Sequence, residues 1–160
     1  MNAPDPVMEA ITKAVTAGRE GQTESARQEL LALWGEVGVT GDPLHRCSLA
    51  HYLADLHDDP AAALAWDVRA LDAAEAVTDN RVQEHHATLQ IAGFYPSLHL
   101  NLADDYRRLG AFAAAGEHIS AANSHTGALA DDDYGDLIRG AITDVESAIN
   151  QQDTTPRPTA

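Results

Sequence analysis

Along most of the chain apolar residues return every three or four positions, the spacing of one face of an α-helix. Val7, Ile11, Ala14 and Val15 open the series, and Ala26, Leu30, Leu33 and Val37 continue it. Leu49, Tyr52, Leu53 and Leu56 form a third stripe, and Leu64, Val68, Leu71, Ala74 and Val77 a fourth. After a segment over residues 80–92 and a break predicted at Gly93 to Pro96, two more stripes follow. One is Leu98, Leu102, Tyr106 and Leu109; the other is Phe112, Ala115, Ile119 and Ala122. The last stripe is the most regular, with Tyr134, Leu137, Ile138, Ala141, Ile142, Val145 and Ile149. The punctuation agrees. Asp5-Pro6, Asp42-Pro43 and Asp59-Pro60 each set a capping aspartate before a proline at the first helical position. Gly18, Gly38, Gly110 and Gly127 stand where helices can end in the left-handed region. Connections of roughly two to six residues make neighbouring helices antiparallel, so the chain reads as a row of hairpins. Residues 151–160 are polar with two prolines and read as a disordered tail.

The hairpins repeat. Gly21, Gln22 and Thr23 followed by Ala26, Leu30 and Leu33 match His57, Asp58 and Asp59 followed by Ala62, Trp66 and Arg69. Both match Gly110, Ala111 and Phe112 followed by Ala115, Ile119 and Ala122. In the preceding helices Leu49, Ala50 and Leu53 match Leu102, Ala103 and Tyr106. Small residues are needed where two helices touch, and large ones fill the gaps beside those contacts. In the third unit Leu102, Ala103, Tyr106, Gly110, Phe112, Ala115, Ile119 and Ala122 resemble the tetratricopeptide repeats, whose unit is a helix-turn-helix of about 34 residues. The second unit departs from that pattern at Arg69, where a small residue is usual, and the first at Lys13, which stands for a leucine. The resemblance implies an all-α fold: a right-handed α-solenoid of about three hairpins forming one domain over residues 1–150. Its units cover approximately 5–37, 43–77 and 80–127, and a capping helix over 132–150 seals the open apolar end. It also implies a function, an adaptor or scaffold that binds a peptide or partner segment in the concave groove lined by the first helix of each unit.

Composition narrows the partners. Thirty of the 160 residues are alanine, the best helix former. The net charge is -15, from 25 acidic and 10 basic residues. Such a field repels phosphate backbones and anionic lipid, so neither nucleic acid nor membrane is expected, and the protein or peptide partner is what the resemblance implies. Cys47 is the single cysteine, so no internal disulfide can form. No basic start followed by an apolar run opens the chain, and no stretch approaches the roughly 18 apolar residues of a membrane span. A soluble, cytoplasmic protein is expected; the arginine and alanine bias suggests a bacterial source.

No HExxH, CxxC, phosphate-binding loop or nucleophile elbow occurs, so no catalytic residue, bound metal or cofactor is expected. Cys47, His51 and Asp55 share one helix face through their spacing of four. Thiolate, imidazole and carboxylate suit a transition metal or small ligand, which gives the alternative function: a small-molecule or metal-binding protein with an accessory catalytic role. The plainer reading is a small apolar cysteine, a histidine donating to a nearby carboxylate, and a solvated aspartate. In the third unit Ser97, Asn101, Asp104, Arg107 and Arg108 fall on the inner side. The resemblance implies that Asn101, Arg107 and Arg108 clamp a partner's terminal carboxylate, since guanidinium binds carboxylate bidentately. A pair between Asp104 and Arg108 explains the same residues without a ligand. The expected binding surface is therefore Cys47, His51, Asp55, Asn101, Asp104, Arg107 and Arg108. Trp34 and Trp66 fit the inward stripe, while Phe94 and Tyr95 form either a recognition patch or a plug. His85 and His86, about 100° apart on a helix, are poorly placed to chelate.

Overall fold

Aspartates and prolines set the helix starts. The computed structural model describes residues 5–79 and 85–157, without the side chains of 78, 79 and 85–91. Among the described residues the secondary structure is entirely helical: α1 Pro6–Arg19, α2 Thr23–Val37, α3 Pro43–Asp55, α4 Pro60–Asp79, α5 His85–Arg108, α6 Phe112–Ser124 and α7 Asp133–Asn150. Asp5 Oδ1 accepts from Val7 N at 3.0 Å and Met8 N at 3.2 Å. Asp42 Oδ1 accepts from Leu44 N at 2.8 Å, and Asp59 Oδ1 from Ala61 N at 3.2 Å. Each bond satisfies an amide that the first turn leaves without an intrahelical partner. Gly38 and Gly110 close α2 and α5 at φ of 71° and 81°, where a side chain would be strained. Gly18 instead lies inside α1, and Gly21 (φ 97°) makes that turn. Gly127 sits in a short 3-10 turn, Thr126–Ala128.

The break predicted at Gly93 to Pro96 is absent. α5 runs through it for 24 residues with Pro96 inside. A mid-helix proline loses one backbone bond and crowds the preceding turn. Here Pro96, Leu98 and Leu102 are all fully buried, and α5 packs on α4, α6 and α7. Burial of that face outweighs the local preference. Phe94 and Tyr95 lie half-buried within the helix against the core, so the aromatic pair fills space rather than forming an exposed patch.

Each helix packs on the next, including α6 on α7 across the short turn between them. In addition α1 touches α3, α3 touches α5 and α5 touches α7, with no comparable contact among α2, α4 and α6. The odd-numbered helices therefore form one layer and the even-numbered ones the other. One apolar cluster joins α1 to α4 with the middle of α5, through Ile11, Leu30, Leu49, Leu53, Ala70 and Leu98. A second joins the rest of α5 to α6 and α7, through Ala103, Ala115, Ile119, Ile142 and Val145.

Burial fixes the repeat register and corrects one unit of it. Ala26 and Ala115 are buried as expected, but Ala62 is half-exposed and its neighbour Ala63 is buried. Likewise Arg69 is exposed and Ala70 is buried. The second unit is thus displaced by one residue, so that Ala63, Asp67 and Ala70 correspond to Ala26, Leu30 and Leu33. The mismatch at Arg69 disappears. In its place an aspartate occupies the core position that Leu30 and Ile119 fill elsewhere.

Candidate functional site

α4 and α5 face each other through a pair of acids. Asp67 on α4 is 2% exposed and Asp105 on α5 is 5% exposed. Their carboxyls hydrogen-bond to each other, and Asn101, one turn before Asp105, bonds to Asp67. Asp67 Oδ1 and Asp105 Oδ2 have no partner among the described residues, and the bond between the two carboxyls requires one of them to keep its proton. Burial is the main force holding the proton on. It pushes Asp105 up to about 6 against the bond from Asp67; Asp104 and Asp55 add repulsion and Arg108 opposes it. Burial, Asp105 and Asp55 drive Asp67 upward as well, with Asn101 pulling the other way. Two carboxyls this close cannot both ionise cheaply.

On α3 the expected trio separates. Cys47 is fully buried, and burial pushes its thiol up to about 12, so no thiolate stands ready for a metal. His51 is buried beside Phe94, its ring 5.8 Å away, and its Nδ1 has no partner among the described residues. Burial moves His51 toward the neutral form, with Asp55 opposing. Only Asp55 reaches the surface. Its carboxyl lies above the ordinary range through loss of water on its inner side, offset by His51 and Arg19. Because α3 touches α1, α2, α4 and α5, its buried face is wide enough to take in positions 47 and 51.

Asp55 also borders a cleft of about 460 Å³ between α1, α2 and α3. Val15, Gly18, Ala26, Leu30 and Leu56 supply its apolar lining; Arg19, Tyr52 and Asp55 supply polar groups.

Of the third unit's arginines, Arg107 is committed inside the fold and Arg108 stays half-exposed. Arg107 is 1% exposed. It donates to Asp104 Oδ1 at 2.7 and 3.0 Å and to the carbonyls of Asp153 and Thr155 at 2.6 and 2.9 Å. Arg108 donates to the Asp58 carbonyl at 2.9 Å. Asp104 therefore pairs with Arg107 rather than Arg108, and the buried Arg107 is not presented as a carboxylate clamp. The tail expected to be disordered is held against α5 through its first residues. Ser97 is buried, its hydroxyl 2.6 Å from the Tyr134 hydroxyl on α7. Of the expected surface, Asp55, Asn101, Asp104 and Arg108 gather at the junction of α3, α4 and α5, where Asp67 and Asp105 join them. Cys47, His51 and Arg107 lie in the interior.

The histidines cluster elsewhere. His99 and His118 bring their Nδ1 atoms to 3.1 Å, and His125 lies parallel to His99 at 5.7 Å. Burial, then repulsion from His118 and His125, lowers His99 to about 4. No group of three side chains suited to a metal ion occurs among the described residues. The side chains of His85 and His86 lie outside the described residues. No described helix is long and apolar enough to cross a membrane. A scan against protein-family models finds no match for the chain, and searches of curated proteins and of solved structures find none either.

Proposed function

We propose that this chain is a protein-interaction module, a tetratricopeptide-like stack of three hairpins and a capping helix, that holds a partner segment against α1, α3 and α5. Helices that touch in one layer and stand apart in the other bend a stack, so the odd-numbered layer lines the inside of the curve. The observation that carries the reading is the cleft of about 460 Å³ between the first two hairpins, with Asp55 at its edge. That volume falls in the range of roughly 300–1,000 Å³ typical of ligand sites, enough for one or two side chains of a peptide. Three hairpins offer a groove long enough for a short extended segment.

Selection of peptides from a random library on the immobilised protein tests the reading. Enriched peptides should lose binding to Val15→Phe, which puts a ring into the cleft, and keep it on Glu75→Gln, on the outer helix α4. Equal binding to both variants, or no enrichment at all, would refute it.

A further inference from the structure

Charge decides what kind of segment this surface accepts. The arginines around it are already bonded: Arg107 to Asp104 and the tail carbonyls, Arg108 to the Asp58 carbonyl. Elsewhere Arg27 pairs with Glu24 and Arg139 with Asp136, while Arg46 and Arg69 lie over the rings of Trp34 and Trp66. Four carboxyls meet at the α3–α4–α5 junction, from Asp55, Asp67, Asp104 and Asp105, within a chain of net charge -15. Asp67, within reach of the Asp55 charge, is 2% exposed and its Oδ1 lacks a partner among the described residues. Arg19 is the cation in the cleft lining. It lies near enough to Asp55 to pull on its proton, yet no ion pair joins the two among the described residues.

We infer that the segment bound here is cationic, with an apolar side chain in the α1–α2–α3 cleft and an adjacent lysine or arginine whose head reaches Asp55. This rests on the interaction-module reading and names the partner's chemistry. It also reverses the sign expected from the sequence, where Arg107 and Arg108 pointed to a carboxylate. A guanidinium or ammonium brings donors and no acceptors, which is what a surface rich in carboxylate oxygens lacks. The field of the whole chain draws such a segment in.

Fluorescence anisotropy with two labelled synthetic peptides of identical leucine spacing separates the possibilities. One carries lysine and arginine between the leucines, the other glutamate. The basic peptide should bind, weaken steeply as sodium chloride is raised, and lose roughly three- to tenfold in affinity on Asp55→Asn. Glu75→Gln removes the same charge from the outer layer and should leave binding unchanged. Tighter binding of the glutamate peptide, blocked by Val15→Phe, would overturn the inference and leave the module reading standing. Equal losses on Asp55→Asn and Glu75→Gln would reduce the attraction to the general field and overturn the inference. If neither peptide binds at millimolar concentration, both readings fall. Melting curves of the three variants, each expected to match the parent within a few degrees, confirm that folding is not what changed.

Discussion

The acid pair between α4 and α5 sets a stability that depends on pH in a direction opposite to that of a salt-bridged carboxylate. Asp105 titrates at about 6 in the folded chain against an ordinary value of 3.8, and Asp67 is raised as well. A folded pKa above the unfolded one means that the folded chain holds more protons. The pair's contribution to stability is therefore greatest at low pH, falls as pH rises from about 4 to about 6, and stays lower above that. A rise of two units corresponds to about 3 kcal/mol at 1.36 kcal/mol each, so at neutral pH the pair weakens the fold by roughly 1–3 kcal/mol. Asp67→Asn keeps the shape and supplies an amide donor to Asp105 without needing a proton. It should stabilise by roughly 1–3 kcal/mol at pH 8 and by about half as much at pH 5, where part of the penalty is already present. For a chain of this size about 1 kcal/mol moves the melting point by roughly 2–4 °C. Circular-dichroism melts of variant and parent at both pH values give the result directly, because the difference cancels every other titrating group. An equal loss at pH 5 and pH 8 would refute a shared proton. A carboxyl 13C titration of Asp105 that moves down in the variant would support it independently.

Other consequences are open to simple measurements. Ala115 is fully buried at the contact of α5 and α6, so Ala115→Leu should cost about 1–3 kcal/mol by overpacking, read as a lower melting point. Cys47 should react with a thiol reagent such as DTNB only after addition of denaturant; fast labelling of the native chain would contradict its burial. Arg107→Lys cannot reproduce the fork to Asp104 and two carbonyls, so it should cost roughly 1–3 kcal/mol and expose residues 153–157 to limited proteolysis. His99 is depressed to about 4 in the fold, so the unfolded chain takes up its proton first and stability falls as pH drops from about 6.5 toward 4. His99→Phe should remove roughly 1–3 kcal/mol of that acid loss, and an unchanged acid limb would rule His99 out as its source.

Much of the helical order was legible because its signals are local. Asp5, Asp42 and Asp59 cap the helices that their following prolines announced, and Gly38 and Gly110 take the positive φ that ends a helix. Pro96 misled because its local cost is set against burial along α5 that only tertiary packing reveals. Cys47, His51 and Asp55 show another limit. Spacing establishes that three residues share a face, but not whether neighbouring helices cover that face. The arginines failed for a related reason: the acceptors of Arg107 include backbone carbonyls 46 and 48 residues further on, which no sequence pattern announces.

Asp67 was missed through alignment, and the clue was present. Placing Arg69 at a position that needs a small residue was the price of matching Trp66 to Leu30 and Ile119. Shifting the unit by one residue removes that conflict and moves the anomaly to Asp67, which then stands alone as an acid in an apolar column. An apolar residue would pack there more cheaply, since a buried carboxyl needs both a partner and a proton. Its partner, Asp105, also lies on α5, the helix shared by the two apolar clusters. The apolar packing is thus interrupted by a polar seam of Asp67, Asn101 and Asp105 where α4 meets α5. Asp55, at the rim of the cleft, acts on both acids of that seam through its charge. A cation held on Asp55 would relieve the repulsion it exerts on them, so binding at the surface and the strength of the α4–α5 joint are linked through the same charges. Linkage then requires the reverse: conditions that hold protons on the seam, such as pH 5, should weaken cation binding at Asp55, while pH 8 should strengthen it.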